Sequence, residues 1–246
     1  MRKTHAWHEK RSFEGKPPAP YTRAMKLYRF SYSPYARKVQ LLLDLMGREY
    51  VAVEVPYSDR TELATLTGGY IYVPVLVDDD GKVVCDSRRI CEHLLTGPAG
   101  DTFVPSPLQG PIWAYSDWCD GPLEDVMFRI GSPSIRDRWS KASDRALYVL
   151  IKERKFGAGC VDAWLRDRDE LVARAKTLLA PTVRTLAAQP FLFGPNPVLA
   201  DVALHGQFAM LGAADPALLG PFAPELTAWI RRIDELAAAR SRARKS

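Results

Sequence analysis

Cysteine is scarce in this 246-residue chain: Cys85, Cys91, Cys119 and Cys160 form no Cys-x-x-Cys pair. That excludes a disulfide-built scaffold and a paired-thiol redox centre, and reads as free thiols in a reducing compartment. Histidine is equally sparse. Only His5 and His8 share a helical spacing, and one such pair in a polar segment is too little for a metal site, so no metal is expected. There is no run of 18 apolar residues, which excludes a membrane-spanning helix. The N-terminus lacks the apolar stretch of a secretory signal. A cytoplasmic location with no membrane partner is the expectation. Acidic excess is missing too: the net charge is +5. Much of the basic excess sits at the ends, in Arg2, Lys3, Lys10 and Arg11 and in Arg240, Arg242, Arg244 and Lys245. A nucleic-acid face needs clustered charge, so these read as solvated tails with no nucleic-acid partner. Hydrophobic residues make up 47% of the chain and charged residues 26%, the balance of an ordinary globular protein with a sizeable core.

What the chain does have is a pattern of breakers around short apolar runs. Residues 1–24 are polar and include Lys16-Pro17-Pro18-Ala19-Pro20, an extended arm. Leu27 to Phe30 reads as a strand. Ser33-Pro34 then opens a helix, with serine as N-cap and proline in the first turn. Its apolar stripe is Val39, Leu42, Leu43 and Met46, and Gly47 ends it. Tyr50 to Val55 predicts a second strand and Asp59 to Leu66 a short helix. Val75 to Val77 and Val83 to Cys85 flank Asp80-Gly81, a hairpin signal. Asp86 to Leu95 predicts a third helix, stopped by Gly97. The order over residues 25–97 is β-α-β-α-β-β-α. Prolines 98, 105 and 107 mark residues 98–109 as a linker. Residues 110–240 carry only three-to-four spacing, with helices expected near 110–130, 137–155, 161–188, 198–213 and 223–239. A basic tail, residues 241–246, follows. A small α/β domain followed by an all-helical domain is the predicted architecture.

Two short stretches carry candidate chemistry. Val73-Pro74 stands at the mouth of a strand, where proline's missing N–H costs nothing, and X-Pro is the only common setting for a cis bond. A cis bond there turns the Val73 backbone outward, towards an extended ligand. Asp86-Ser87 opens a helix, whose unpaired N–H groups and partial positive charge favour a carboxylate. The same pair also reads as an ordinary helix cap, and one residue can serve both roles. Together the two stretches suit a peptide-like molecule with a free amine and a free carboxylate.

The element order and three motifs resemble the cytosolic glutathione transferase family over residues 25 to about 240. The motifs are Ser33-Pro34-Tyr35-Ala36-Arg37-Lys38-Val39, then Val73-Pro74-Val75-Leu76 with Cys85-Asp86-Ser87-Arg88-Arg89-Ile90, then Pro197-Val198-Leu199-Ala200-Asp201-Val202-Ala203-Leu204. The resemblance implies a thioredoxin-like domain, a helical domain, a homodimer, glutathione as co-substrate and a role in detoxification. Pro74 resembles the family's cis-proline. Val73 would pair with the cysteinyl part of glutathione, Ser87 would hold the γ-glutamyl carboxylate and Asp86 its ammonium. The third motif departs from the family: Val198 stands where Ser or Thr begins a capping box, leaving only Asp201 to reach a backbone N–H.

By the same resemblance Ser33 occupies the position that is serine in some classes and cysteine in others. Its hydroxyl would stabilise the glutathione thiolate, the reactive form of the thiol. Read alone, Ser33 is equally an N-cap, and Ser31, Tyr32 and Tyr35 are neighbouring hydroxyls. Arg29 at the end of the first strand excludes a tyrosine-type site. A serine cannot form a mixed disulfide, which disfavours reductase chemistry and favours conjugation to a small hydrophobic electrophile. Dehalogenation, ether cleavage and isomerisation use the same thiolate. A non-enzymatic binding protein on the same fold is the competing expectation. The second substrate is expected against Tyr35, Trp113 and Trp118, with Tyr115, Met127 and Phe128 near them, although such spacing also marks core. No role is assigned to residues 153–160.

Overall fold

The computed structural model describes residues 24–245. The expected arm, with His5 and His8, lies outside the described residues except for Ala24. The first part runs β1 (Met25–Arg29), α1 (Pro34–Leu45), β2 (Tyr50–Glu54), α2 (Thr61–Thr67), β3 (Val75–Val77), β4 (Val83–Cys85) and α3 (Ser87–Leu94). The sheet order is β2-β1-β3-β4, with β1 parallel to β2 and β3 antiparallel to both neighbours. This is the expected β-α-β-α-β-β-α arrangement of a thioredoxin-like unit.

Local chemistry explains each element. Ser33 caps α1 and Pro34 stands in its first turn. Val39, Leu42 and Leu43 lie on its buried face, and Gly47, at φ +66°, turns the chain out through bonds to the last carbonyls. Leu27, Val75, Leu76 and Ile90 join that layer, all fully buried between the sheet and its helices. The β3–β4 hairpin closes at Gly81, whose φ of +85° suits glycine.

Helices make up the rest: α4 (Pro98–Phe103), α5 (Gln109–Trp118), α6 (Glu124–Asp137), α7 (Ala142–Phe156), α8 (Cys160–Arg166), α9 (Arg168–Ala188), α10 (Leu199–Ala214) and α11 (Pro224–Lys245). The stretch read as a linker, residues 98–109, contains α4 and a turn of 3₁₀ helix, because prolines at the first helical positions start helices as well as end them. The helix expected near 110–130 is two helices joined by one π turn, Cys119–Leu123, around Pro122. The 161–188 segment divides between α8 and α9 at Asp167. The residues read as a tail from 241 continue α11 to Lys245, since Leu236 to Arg244 holds strong helix formers and no breaker. No helix among the described residues is long and apolar enough to cross a membrane.

Two devices hold α1 against the helical part. Gly206 of α10 faces the first turn of α1, where an added Cβ would lie 2.6 Å from the Pro34 carbonyl oxygen. Only glycine permits that approach. Second, Lys38, 1% exposed, pairs with Asp120 of the π turn, whose backbone carbonyl also accepts the Tyr35 hydroxyl at 3.1 Å. Burial pulls Lys38 towards neutrality, but Cys91 and Asp120 outweigh it and keep the ammonium charged. Asp201 satisfies the start of α10 as expected: one oxygen accepts from Val198 N–H, and the other accepts from Leu192 N–H and the Trp229 indole.

Candidate functional site

Strand register brings the candidate residues together. Tyr28 of β1 pairs with Val75 of β3, and Val75 pairs with Cys85 of β4. Because β3 runs against β1, it begins where β1 ends; because β4 runs against β3, it ends at the same place. Ser33 follows β1, Val73-Pro74 precedes β3, and Asp86-Ser87 follows β4. All three therefore emerge at one end of the sheet, where the N-termini of α1 and α3 also open.

At that end the Val73–Pro74 peptide bond is cis. The Val73 backbone has no backbone partner among the described residues. Asp86 has φ +78°, an uncommon conformation for a residue with a side chain, of the kind retained at working sites. One of its carboxylate oxygens, Oδ1, accepts from Arg88 N–H at 2.9 Å and Arg89 N–H at 3.2 Å. Its other oxygen makes no such bond among the described residues. Ser87 is buried, and its hydroxyl makes no hydrogen bond among the described residues.

Ser33 is 7% exposed, so its hydroxyl is sheltered from bulk water. Its Oγ accepts from Ala36 N–H at 3.3 Å. The cap and the chemical role are compatible: capping uses an oxygen lone pair and leaves the O–H free to donate. The neighbouring hydroxyls differ. Burial drives Tyr32 and Tyr35 well above the ordinary phenol range, and for Tyr35 the carboxylates of Glu124, Asp120 and Asp86 add to the shift. Both stay protonated. Tyr32 has no hydrogen-bond partner for its buried hydroxyl among the described residues, and Tyr35 donates to Asp120.

A largely buried aromatic cluster, made of residues outside the expected second-substrate set, lies beside the β1–α1 loop. Phe30 and Tyr32 stack at 5.2 Å; Trp139 meets Tyr32 at 5.8 Å and Tyr57 at 5.0 Å; Tyr148 of α7 meets Tyr57 at 5.6 Å. Trp113 instead lies under the Arg88 guanidinium, 3.8 Å from its ring centre, and lines a 430 Å³ cavity between α3, α4 and α5. Trp118 packs on Tyr115, whose hydroxyl bonds Thr182 of α9. Helical spacing places these rings on one side of α5 but says nothing of which neighbour covers them.

Three charged residues at the site went unassigned in the sequence. Arg60 donates to the carbonyls of Tyr57 and Ile71 and lies 4.5 Å over the Phe30 ring, beside the Val73 segment. Lys152 of α7 and Glu124 of α6 act on each other electrostatically without forming an ion pair among the described residues. Burial pushes Glu124 up to about 7 and Lys152 down to about 8. A basic residue six positions past a strand end was a visible signal for Arg60; none pointed to the other two.

A four-stranded thioredoxin-like sheet with a cis-proline edge, joined to an all-helical part, defines the glutathione transferase fold class. The family model described as "Glutathione S-transferase, N-terminal domain" matches residues 27–101. The match to that family model is thus confined to the N-terminal unit. It is 25% identical over 179 residues to glutathione S-transferase U7 of Arabidopsis thaliana, across 72% of this chain and 66% of that relative. The chain thus matches just under two thirds of the relative's length. Among solved structures it resembles a glutathione transferase from Phanerochaete chrysosporium, with TM-score 0.69 and 15% identity over 87% of this chain and 98% of that one. It also resembles glutaredoxin 2 of Salmonella typhimurium in complex with glutathione, with TM-score 0.68 and 17% identity over 87% and 95% of the two chains. At those identities the structural likenesses speak to the fold alone.

Proposed function

We propose that this protein is a glutathione transferase that ionises the glutathione thiol at Ser33 for attack on a small hydrophobic electrophile. The observation that carries the reading is the emergence of Ser33, Val73-Pro74 and Asp86-Ser87 at one end of the sheet, between two helix N-termini. Val73 offers a free backbone edge to the cysteinyl residue. Ser87 and the α3 N-terminus receive the γ-glutamyl carboxylate, and the uncommitted oxygen of Asp86 receives its ammonium. Arg60, held beside Ile71, adds a cation for the glycyl carboxylate. The glutathione bound in the Salmonella relative supports this choice of ligand.

The energetics are sufficient. A thiol near pKa ~8.5 is only a few per cent ionised at neutral pH, and lowering it by ~2 units takes about 2.7 kcal/mol. A hydrogen bond to a charged group supplies about 1.5–3 kcal/mol. The helix N-terminus adds about 0.3–1 kcal/mol. Ser33, capping the helix with its lone pair, donates its proton to the sulfur and meets both terms. Without a thiol at position 33 there is no disulfide exchange, so the thiolate acts on carbon: conjugation first, with dehalogenation, ether cleavage or isomerisation by the same nucleophile. We further propose the domain division at residues 97 and 110, and assembly as a homodimer. Calorimetric titration with glutathione tests the reading, with binding expected at millimolar ligand or below. No heat of binding at millimolar glutathione would refute it.

A further inference from the structure

Ser33 closes a four-residue turn: its N–H donates to the Phe30 carbonyl at 3.0 Å. Ser31 and Tyr32 form the centre of that turn. Neither peptide group of Ser31 takes part in the closing bond, and each is held by a charged side chain instead. The Ser31 N–H donates to Glu54 Oε1 at 2.7 Å, from the end of β2. The Ser31 carbonyl accepts from Arg37 Nε at 2.7 Å, from the start of α1. Bonds with one charged partner are roughly twice as strong as neutral ones. The two holds are also tied to each other. Arg29, the last residue of β1, donates to Gln40 Oε1 and pairs with Glu54 Oε2 at 3.6 Å. Arg37 Nη1 reaches the same Gln40 oxygen at 3.4 Å. Glu54, Ser31, Arg37, Gln40 and Arg29 thus close a ring around the base of the turn. Strand register alone sets Arg29 opposite Glu54. It does not require Glu54 to reach Ser31, nor Arg37 to turn back past Ser33 onto the Ser31 carbonyl. A hydrogen bond weakens steeply with angle. The Ser33 hydroxyl therefore serves a thiolate only if the turn that carries it is fixed.

We propose that Glu54 and Arg37 are positioning residues: by clamping the two peptide groups of Ser31 they aim the Ser33 hydroxyl at the glutathione sulfur. This rests on the reading of Ser33 above, and it adds two residues that act only through that hydroxyl.

The test reads the pKa of the bound glutathione thiol, from thiolate ultraviolet absorbance against pH in the full chain. For Glu54, charge and position predict opposite signs. Removing a carboxylate lowers a neighbouring thiol's pKa by charge alone; releasing the turn raises it. Glu54→Ala should raise it by about 0.5–1 unit, part of the ~1–2 units expected for Ser33→Ala. Glu54→Gln keeps an acceptor for the Ser31 N–H and should stay close to the wild type. Arg37→Ala should also raise it. Because losing a cation acts in the same direction, Arg37 is judged in the Ser33→Ala background. There neither Glu54→Ala nor Arg37→Ala should shift the pKa further, whereas an effect of charge would persist. Glu54 is half exposed, so its variants keep the test available even if Arg37→Ala fails to fold. A fall in pKa for Glu54→Ala, or shifts that persist in full without the Ser33 hydroxyl, overturns the proposal alone. So does an unchanged pKa in Glu54→Ala when Ser33→Ala raises it. No shift in Ser33→Ala itself overturns the reading of Ser33 and this proposal with it.

Discussion

Replacing Ser33 by alanine separates the two roles of its hydroxyl. The first role is structural. The Ala36 N–H loses an acceptor at 3.3 Å, a long bond, so the loss of stability should be near the low end of the usual ~0.5–2 kcal/mol for a cap. The second is chemical. If the hydroxyl donates to the thiolate, its removal costs about 1.5–3 kcal/mol of anion stabilisation. That equals ~1–2 units in the pKa of the bound thiol. Turnover of chlorodinitrobenzene against pH reads this directly. The wild-type rate should level off near pH ~6.5, and the variant's only near ~7.5–8.5. At neutral pH the variant should be about three- to twenty-five-fold slower, approaching the wild type in alkali. Glutathione should bind both with similar affinity, because Val73, Asp86 and Ser87 are untouched. An unchanged pH profile in a variant that has lost only about 0.5–1 kcal/mol of stability would show that Ser33 is a cap and nothing more.

The other elements give sharper expectations of their own. Asp86→Asn keeps the acceptor for Arg88 N–H and Arg89 N–H and tolerates the positive φ, so stability should hold within ~0.5 kcal/mol. Glutathione affinity should fall about tenfold or more with the lost charge; unchanged titration would remove Asp86 from the ligand site. Gly206→Ala drives a methyl against the Pro34 carbonyl and should cost about 1–3 kcal/mol in denaturant unfolding while weakening glutathione binding next door at Ser33. Lys38→Met strands the half-buried Asp120 and should cost up to about 3–5 kcal/mol, most of it recovered by adding Asp120→Asn; no recovery would mean that packing of the lysine stem dominates. Glu124, held at about 7 against an ordinary value near 4.3, opposes folding when ionised. That cost is absent at pH 4, grows up to about 7 and is constant above. Glu124→Gln should therefore gain about 1–3 kcal/mol relative to wild type between pH 4 and 8, allowing for its partial exposure; parallel stability curves would refute the shift.

Residues at element ends were the legible part of this sequence. Ser33-Pro34, Pro74 and Asp86 set backbone conformation through their side chains, and Gly47 and Gly81 through lacking one, so strand and helix limits in the first unit were readable to within a residue or two. Because the candidate ligand residues are those same terminal residues, they were readable as well. The helical part was not, beyond its class. The segment read as one helix near 110–130 holds Pro122, and a π turn there divides it into two helices. Trp113 and Trp118 have the spacing of a pocket wall, but the contact that fixes Trp113, Arg88 of α3 over its ring, is tertiary, and Trp118 packs on Tyr115 of its own helix. Lys152 and Glu124 lie 28 residues apart in sequence. They come together only because α7 folds back over Tyr57, a tertiary fact with no local signature.

The π turn has one further consequence. Every proposed contact to glutathione comes from residues before 98, so that segment looks self-sufficient on paper. Cut free, it would leave the Lys38 ammonium without its carboxylate and the Tyr35 hydroxyl without its acceptor, both on the helix that begins at Ser33. The first turn of that helix would also lose the face of α10 that Gly206 allows to press on it. The aim of the Ser33 hydroxyl is thus borrowed. The residues that define the site come from one half of the molecule, and the rigidity that makes them a site comes from the other.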